Sequence, residues 1–420
     1  MSRASISPAA LKVLYRLKDA GYQAHLVGGG VRDLLLGREP KDFDVATDAT
    51  PEEVKAVFRS CRLIGRRFRL AHVRFGREII EVATFRAAQA APAPDHQSDD
   101  GMLLRDNVYG SIEEDALRRD FTVNALYYNI QDFSVIDYAG GVADLEAGIL
   151  RLMGDPETRY REDPVRMLRA LRFAAKLGFI IEPETEKPLW ELGDLLQGVP
   201  AARLYEEVLK LFMGGTGATA FEKLRHYDLF RQLFPDTDRA LAEQEEEFPH
   251  TLVLQGLLNT DARVREDKPV TPAFLFAVLL WEPVRLRSMA LLEQGLAPYP
   301  ALQQAASEVL ERQLRSVSLP RRFSTPMREI WLLQSRFEHT KGKRPARLAA
   351  HPRFRAAYDF LLLRAQAGEA SPKLADWWTE YQQGKAPAAK EQQADEGRPR
   401  GRRGRRGGRR RKRSAQGSAE

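Results

Sequence analysis

At 420 residues, 43% of them apolar, the chain is long enough to bury several separate cores and reads as a multidomain protein. Its net charge of +7 is a local property: residues 398–413, RPRGRRGRRGGRRRKR, hold eleven of the 65 basic residues, and the remainder, 54 basic against 58 acidic, sits at −4. The longest apolar run, near Ala273–Trp281, is too short for a bilayer, no apolar leader opens the chain, and the one cysteine, Cys61, excludes an internal disulfide and a multi-cysteine metal site; together these point to a cytoplasmic protein with Cys61 simply buried.

The opening segment reads as an amphipathic helix, with Ser7 as its N-cap and Pro8 at its first position. From Gln23 to Arg86 short strands and helices alternate. The pattern predicts a strand at 23–27, a helix at 31–36, a strand at 42–46, a helix at 51–59, and a hairpin with arms 70–75 and 78–86 turning at Gly76-Arg77. The stretch AAQAAPAPDHQSDDG follows as an exposed, mobile loop. Helix resumes at Ser111-Ile-Glu-Glu114, which has capping-box spacing. Beyond Asp163 the segments read as helical, starting at caps such as Asp163-Pro164 and Thr271-Pro272. The expected architecture is α+β: an α/β head, helical middle domains, and a basic tail. That tail has no apolar residues with which to build a core, so it is expected to be disordered.

Three features carry chemistry. In His25-Leu-Val-Gly-Gly-Gly-Val-Arg-Asp33 a strand runs through glycines into a helix. Such a turn lets the backbone N–H groups of Gly28 and Gly29 approach a phosphate. Arg32 reads as a phosphate contact and Asp33 as its orienting partner; a tight turn flanked by surface charges explains the same residues. In Lys41-Asp-Phe-Asp-Val-Ala46, strand alternation puts Asp42 and Asp44 on one face. Adjacent carboxylates repel, and a divalent cation relieves them: Mg²⁺ takes one or two carboxylates plus phosphate oxygens. In the strand Glu78–Phe85, Glu81 shares a face with Ile79, Ala83 and Phe85, and an acid among apolar neighbours needs a partner. A metal shared with Asp42 and Asp44 would supply one, and so would a salt bridge to Arg86 or a nearby arginine. Two metals at such a site could clamp an in-line phosphoryl displacement.

The glycine turn followed by Asp-Phe-Asp resembles the nucleotidyltransferase superfamily that includes DNA polymerase β. Three further motifs, Leu117-Arg-Arg-Asp-Phe-Thr-Val-Asn-Ala125, Asp137-Tyr-Ala-Gly-Gly-Val-Ala-Asp-Leu145 and Arg161-Glu-Asp-Pro-Val-Arg-Met-Leu-Arg169, resemble in this order the tRNA CCA-adding enzymes and bacterial poly(A) polymerases. The likeness covers roughly residues 20–230. It implies that Arg119 and Asp120 hold the incoming nucleotide, with Asp120 also serving the catalytic centre, and that Asp137–Leu145 is a hinge between head and neck. It implies too that Asp163 and Arg166 read the base. A carboxylate and a guanidinium match the amino donor and ring-nitrogen acceptor that adenine and cytosine share. Residue by residue the alternatives stand: Arg118, Arg119 and Asp120 as a solvated cluster on a helix, Gly140-Gly141 as a plain turn, Asp163 as a helix cap. Arg169 and Arg172 extend a basic ridge suited to phosphates or RNA.

The likeness implies a head at 1–150, a neck at 151–235, a helical body at 236–385 and a tail at 386–420. Leu63-Ile-Gly-Arg-Arg-Phe-Arg-Leu-Ala-His72 resembles the signature that separates bacterial poly(A) polymerases from CCA-adding enzymes. The tail points the same way, because an enzyme that tails varied 3′ ends benefits from charge that grips any RNA backbone; Arg402, Arg403, Arg405, Arg406, Arg409, Arg410 and Arg411 are its candidate contacts. The expectation is addition of AMP from ATP to RNA 3′ ends with Mg²⁺ or Mn²⁺, with RNA-decay proteins as partners left unspecified. CCA addition to tRNA is the alternative within the family. An inactive head serving as an RNA-binding protein is the alternative outside it, and Asp42, Asp44, Arg119 and Asp120 argue against that.

Overall fold

A computed structural model describes residues 3–65, 69–87, 108–244 and 251–384. The loop after Ala87, the signature residues Arg66 and Arg67, and the arginines of the tail lie outside them. The chain opens with α1 (Pro8–Asp19), capped by Ser7, whose hydroxyl accepts from Ala10 N at 3.1 Å. Then come β1 (Ala24–Val27), α2 (Gly29–Leu35), β2 (Asp44–Thr47), α3 (Pro51–Val57), β3 (Cys61–Ile64), β4 (Leu70–Phe75), β5 (Glu78–Thr84), α4 (Ile112–Leu117), β6 (Leu126–Asn129), β7 (Val135–Asp137) and α5 (Gly141–Ala147). The seven strands form one sheet in the order β3-β4-β5-β2-β1-β6-β7. All neighbours are antiparallel except β2 and β5, which run parallel.

Alternation along the strands divides this sheet cleanly. Leu26, Val45, Ala71, Val73, Ile80, Val82, Leu126 and Tyr128 are buried in one core with residues of α1 and α3. On the opposite face Val27, Ala46, Phe85 and Tyr127 close a smaller core with Ala116 of α4. That helix has the expected capping box between Ser111 and Glu114. The rest of this second face is open, and the polar residues gather there.

Several boundaries differ from the sequence reading. Helix α2 starts at Gly29 rather than residue 31 because the glycines themselves enter helical geometry. Strand β2 begins at Asp44, which leaves Asp42 in the segment before it. Strands β3, β6 and β7 were not anticipated; β3 pairs with β4, so the Leu63–His72 signature straddles two antiparallel strands. Cys61 is only half-buried on β3, an edge strand, and burial pushes its thiol up. Arg119 and Asp120 lie in the turn after α4, not on a helix.

The neck continues with β8 (Ile149–Leu150), α6 (Pro156–Glu162), α7 (Val165–Leu177), β9 (Ile180–Ile181), α8 (Pro183–Glu191) and α9 (Ala201–Phe212); β8 and β9 pair in parallel. From Gly217 to Gln382 the described chain is helical, including the helix capped by Thr271 with Pro272 at its start. Among the described residues no helix is long and apolar enough to cross a membrane.

Candidate active site

Strand β1 enters α2 through Gly28, whose φ of 72° lies in the left-handed region that glycine adopts without strain. A Cβ there would stand 3.5 Å from Arg119 Nη1, and one on Gly30 would stand 3.4 Å from the carbonyl oxygen of Asp42. These close approaches gather the glycine turn, Arg119 and the Asp42–Asp44 segment into one place. Asp42 is exposed; Asp44 is half-buried and stands opposite Glu81 across the parallel β2–β5 ladder. Burial first, and then the neighbouring Glu81 charge, push the Asp44 carboxyl up to about 6, with Asp42 adding to the rise and Arg119 opposing it.

Among the described residues no three His, Cys, Asp or Glu side chains converge as a ready metal seat. The facing pair Asp44 and Glu81 nonetheless fits a divalent cation. Both are hard oxygen donors, the raised proton affinity of Asp44 is what a cation would relieve, and Mg²⁺ completes its shell with phosphate oxygens and water. Glu81 differs from its sequence reading in its surroundings. It is not packed among apolar side chains: its side chain is 48% exposed, Ile79 beside it is exposed, and the buried positions of β5 are Ile80, Val82 and Thr84. Its neighbour is His72, with Nε2 3.1 Å from Oε1, whereas Arg86 approaches Asp115 at 3.6 Å.

Arg119 is held by a pair that sequence reasoning missed. Its Nε donates to the Tyr127 hydroxyl at 2.9 Å and its Nη2 to Asp115 Oδ2 at 3.0 Å, and the Tyr127 hydroxyl donates to the same Oδ2 at 2.6 Å. Burial disfavours ionisation of Asp115, but Arg119, the Tyr127 hydroxyl and Arg86 outweigh it and hold the carboxyl below its usual range. Arg159 secures the same turn from the neck, donating through Nη2 to the carbonyls of Arg118 and Arg119 at 2.7 and 2.8 Å. Burial pushes the Arg159 guanidinium down to about 10, and the nearby Arg166 charge adds to the fall. Arg118, Arg119 and Asp120 are therefore not a solvated cluster.

Asp120 sits with a different set of groups. One oxygen accepts from Phe121 N and Asn124 Nδ2, and the other receives Nε and Nη2 of Arg169 on α7. Burial opposes its ionisation; Arg169 more than compensates and holds the carboxyl far below its usual range. Arg32 and Asp33 are not the surface charges of the alternative reading; both are buried, and they are in contact. Arg32 is 2% exposed; it donates to Asp33 Oδ1 and to Asn124 Oδ1, and lies over the Phe173 ring at 5.2 Å. Lys176 reaches Asp33 Oδ2 at 3.3 Å. The Arg32 guanidinium thus supports the turn from behind, 3.4 Å from where a Gly29 Cβ would lie.

At the start of α7, Asp163 accepts weakly from Val165 N at 3.3 Å and strongly from Arg203 of α9 at 2.7 Å. Arg166 donates to Glu162 Oε2 at 3.0 Å and to the Arg159 carbonyl at 2.6 Å. Of the expected basic ridge, Arg169 is paired with Asp120, while Arg172 lies 4.4 Å from the Phe173 centroid. Asp137 accepts from the backbone N–H groups of Ala139, Gly141 and Val142. A Cβ on Gly141 would stand 2.2 Å from the Thr122 carbonyl oxygen. The Asp137–Leu145 stretch is therefore a tight turn after β7 that runs straight into α5, packed closely against Thr122.

Carboxylates facing each other beside a glycine turn, with a guanidinium braced beneath and a helical neck behind, are groups suited to nucleotidyl transfer. Residues 24–151 match the model of the poly A polymerase head domain, 178–241 that of the probable RNA and SrmB-binding site of polymerase A, and 294–414 that of the polymerase A arginine-rich C-terminus. Poly(A) polymerase I of Salmonella typhi is 53% identical over 93% of this chain and 85% of its own length. A CCA-adding enzyme of Lactobacillus helveticus is 39% identical over 51% of this chain and 52% of its own. A solved tRNA nucleotidyltransferase complexed with a primer tRNA and an incoming ATP analog is 26% identical with a TM-score of 0.55, covering 89% of this chain and 100% of that one. The chain belongs to the poly(A) polymerase I family. It is an enzyme of poly(A) addition, and the CCA-adding enzymes are its more distant relatives.

Proposed function

We propose that this chain transfers AMP from ATP to RNA 3′ ends at the open face of its head sheet, and that the pairing of Asp44 with Glu81 beside Arg119 is the observation that carries the assignment. Asp42, Asp44 and Glu81 would hold Mg²⁺ or Mn²⁺, which neutralises charge on the phosphates and activates the attacking 3′ oxygen. The chain's own residues do the rest. Gly28 and Gly29 present bare backbone at the turn, close against the Arg119 and Arg32 guanidinia, and Arg119, fixed by Tyr127 and Asp115, sets a positive charge against that turn. Asp120, Arg169 and the Asp163–Arg166 stretch of the neck form the nucleoside side, with Asp163 and Arg166 each already fixed by a partner, Arg203 and Glu162. A reader clamped this way is rigid, which refuses guanine and uracil but, because adenine and cytosine present the same edge, does not by itself choose between those two.

The domain reading is a head at 1–150, a neck at 151–235, a body at 236–385 and a tail at 386–420, with the tail arginines from Arg402 to Arg411 engaging the RNA backbone and the chain acting in the cytoplasm. The test is incubation with an unstructured RNA primer and each nucleoside triphosphate separately. Long heterogeneous tails with ATP and poor use of CTP are expected. Restoration of C, C and A on a truncated tRNA followed by arrest would overturn the assignment.

A further inference from the structure

We infer that His72 is a positioning residue for the reaction, holding Glu81 ready for the cation; the inference rests on Glu81 being a cation ligand. Val27, Asp44, Glu81, His72 and Arg62 stand opposite one another in a single row across β1, β2, β5, β4 and β3. Directly opposed residues share a face, so His72 flanks Glu81 on one side as Asp44 does on the other. The two neighbours act oppositely. Asp44 repels Glu81, and His72 brings Nε2 to 3.1 Å from Oε1.

Left to itself, Glu81 would be a poor ligand. Its side chain is 48% exposed, and ordering a long acidic side chain costs rotamer freedom. His72 is better anchored, at 23% exposure. Its Nε2 is shielded from solvent and lies at ion-pair distance from Oε1 without making a fully aligned hydrogen bond. A shielded polar nitrogen with no other partner among the described residues is a group waiting for one. A small adjustment of Glu81 completes the bond, fixes Oε1 and leaves the other carboxylate oxygen for a cation. Groups behind a metal ligand act in this way, orienting it and setting its basicity.

The assignment also gives the Leu63–His72 signature a physical role. Its last residue lies on β4, next to the strand that carries Glu81, so the signature touches the catalytic face directly.

The test is direct binding of Mn²⁺ to the full chain without ATP or RNA, followed through the paramagnetic resonance signal of the free ion. His72→Ala is expected to weaken Mn²⁺ binding by about tenfold or more and to raise the Mg²⁺ concentration needed for half-maximal tailing. KM for ATP at saturating metal and the melting temperature of the metal-free protein should barely change. His72→Gln, whose amide nitrogen can donate to the same oxygen, should recover most of the loss. Unchanged Mn²⁺ binding in His72→Ala overturns the inference, as does equal impairment of the Ala and Gln variants, which would mean that His72 acts by packing. Glu81→Gln separates the two levels. If it binds Mn²⁺ like the parent, Glu81 is no ligand and both readings fail; if it is impaired while His72→Ala is not, only the role of His72 falls.

Discussion

Replacing Tyr127 with phenylalanine tests whether the Arg119 support is catalytic or merely structural. The ring, fully buried with Val27, Ala46, Phe85 and Ala116, keeps its packing. The lost hydroxyl donates to Asp115 Oδ2 at 2.6 Å and accepts from Arg119 Nε at 2.9 Å, which leaves the two charges joined only through Nη2 and Oδ2 at 3.0 Å. Hydrogen bonds to charged groups contribute about 1.5–3 kcal/mol each, and two that share one hydroxyl are not additive, so a loss of about 2–4 kcal/mol is expected. Because Arg119 faces the Gly28 turn and its charge acts on Asp44, a loosened guanidinium should also lower kcat/KM for ATP, by about 10- to 100-fold if it shifts by an ångström. Thermal denaturation reads the first effect and steady-state tailing of an RNA primer the second. If stability falls and kcat/KM does not, Arg119 only braces the turn and the nucleotide-binding assignment is refuted.

Three other perturbations act on charges, two of them described above and one in the helical body. Mn²⁺ binding should weaken about tenfold per pH unit below about pH 6, because Asp44 must lose its proton to bind a cation; an inflection at the ordinary carboxylate value of about 4 would show that Asp44 is not the titrating ligand. In the body, burial first and then Glu282 push the Glu369 carboxyl from 4.5 up to about 7. With the folded value above the unfolded one, its stabilising contribution is complete below 4.5 and is lost as pH rises through about 7. Glu369→Gln should therefore melt higher than the parent near about pH 8 and alongside it near about pH 5; equal melting at both would show that the pair is not strained. Deleting residues 398–413 should leave transfer to a short primer intact, weaken binding of long RNA and flatten its salt dependence by about 0.7 for each phosphate the tail would otherwise neutralise. An unchanged slope in a monodisperse sample would exclude the tail as a phosphate-binding segment.

The parts of the fold legible in the sequence are those written locally. Ser7, Thr271 and the Ser111–Glu114 box each start a helix by satisfying N–H groups within a few residues, and each does so in the structure. The strand at Asp44 was legible for a similar reason, its period-two alternation being local, but the strand starts at Asp44, so alternation does not account for the placement of Asp42. Partners separated by long stretches of sequence were not. Asp115 lies only four residues before Arg119, at ordinary ion-pair spacing, and Tyr127 eight after it, but that both hold the same guanidinium depends on the placement of α4 over β6. Arg203 meets Asp163 across 40 residues, and Lys176 meets Asp33 across 143. Glu81 was misjudged in its environment for the same reason. Its strand alternates as expected, but which face is buried depends on what packs above the sheet, and α4 covers only part of it.

These distant contacts bear on how a base can be selected without a template. Such an enzyme must fix the base reader relative to the carboxylates that act on the phosphate, since no template strand does so. Here the link runs through charged pairs from the neck to the head. Arg169 of α7 engages Asp120, Lys176 of the same helix engages Asp33 and through it Arg32 and Asn124, and Arg159 of α6 grips the carbonyls of Arg118 and Arg119. Asn124 closes the circuit, accepting from Arg32 and donating to Asp120. Removing one partner from such a buried pair leaves an uncompensated charge, which is far costlier than the pair is stabilising. The arrangement therefore resists drift between neck and head more than it adds net stability. That is the property the proposed site requires, since its proposed base reader, Asp163 and Arg166, stands on α7 or beside its start while the carboxylates proposed to act on the phosphate stand on β2 and β5.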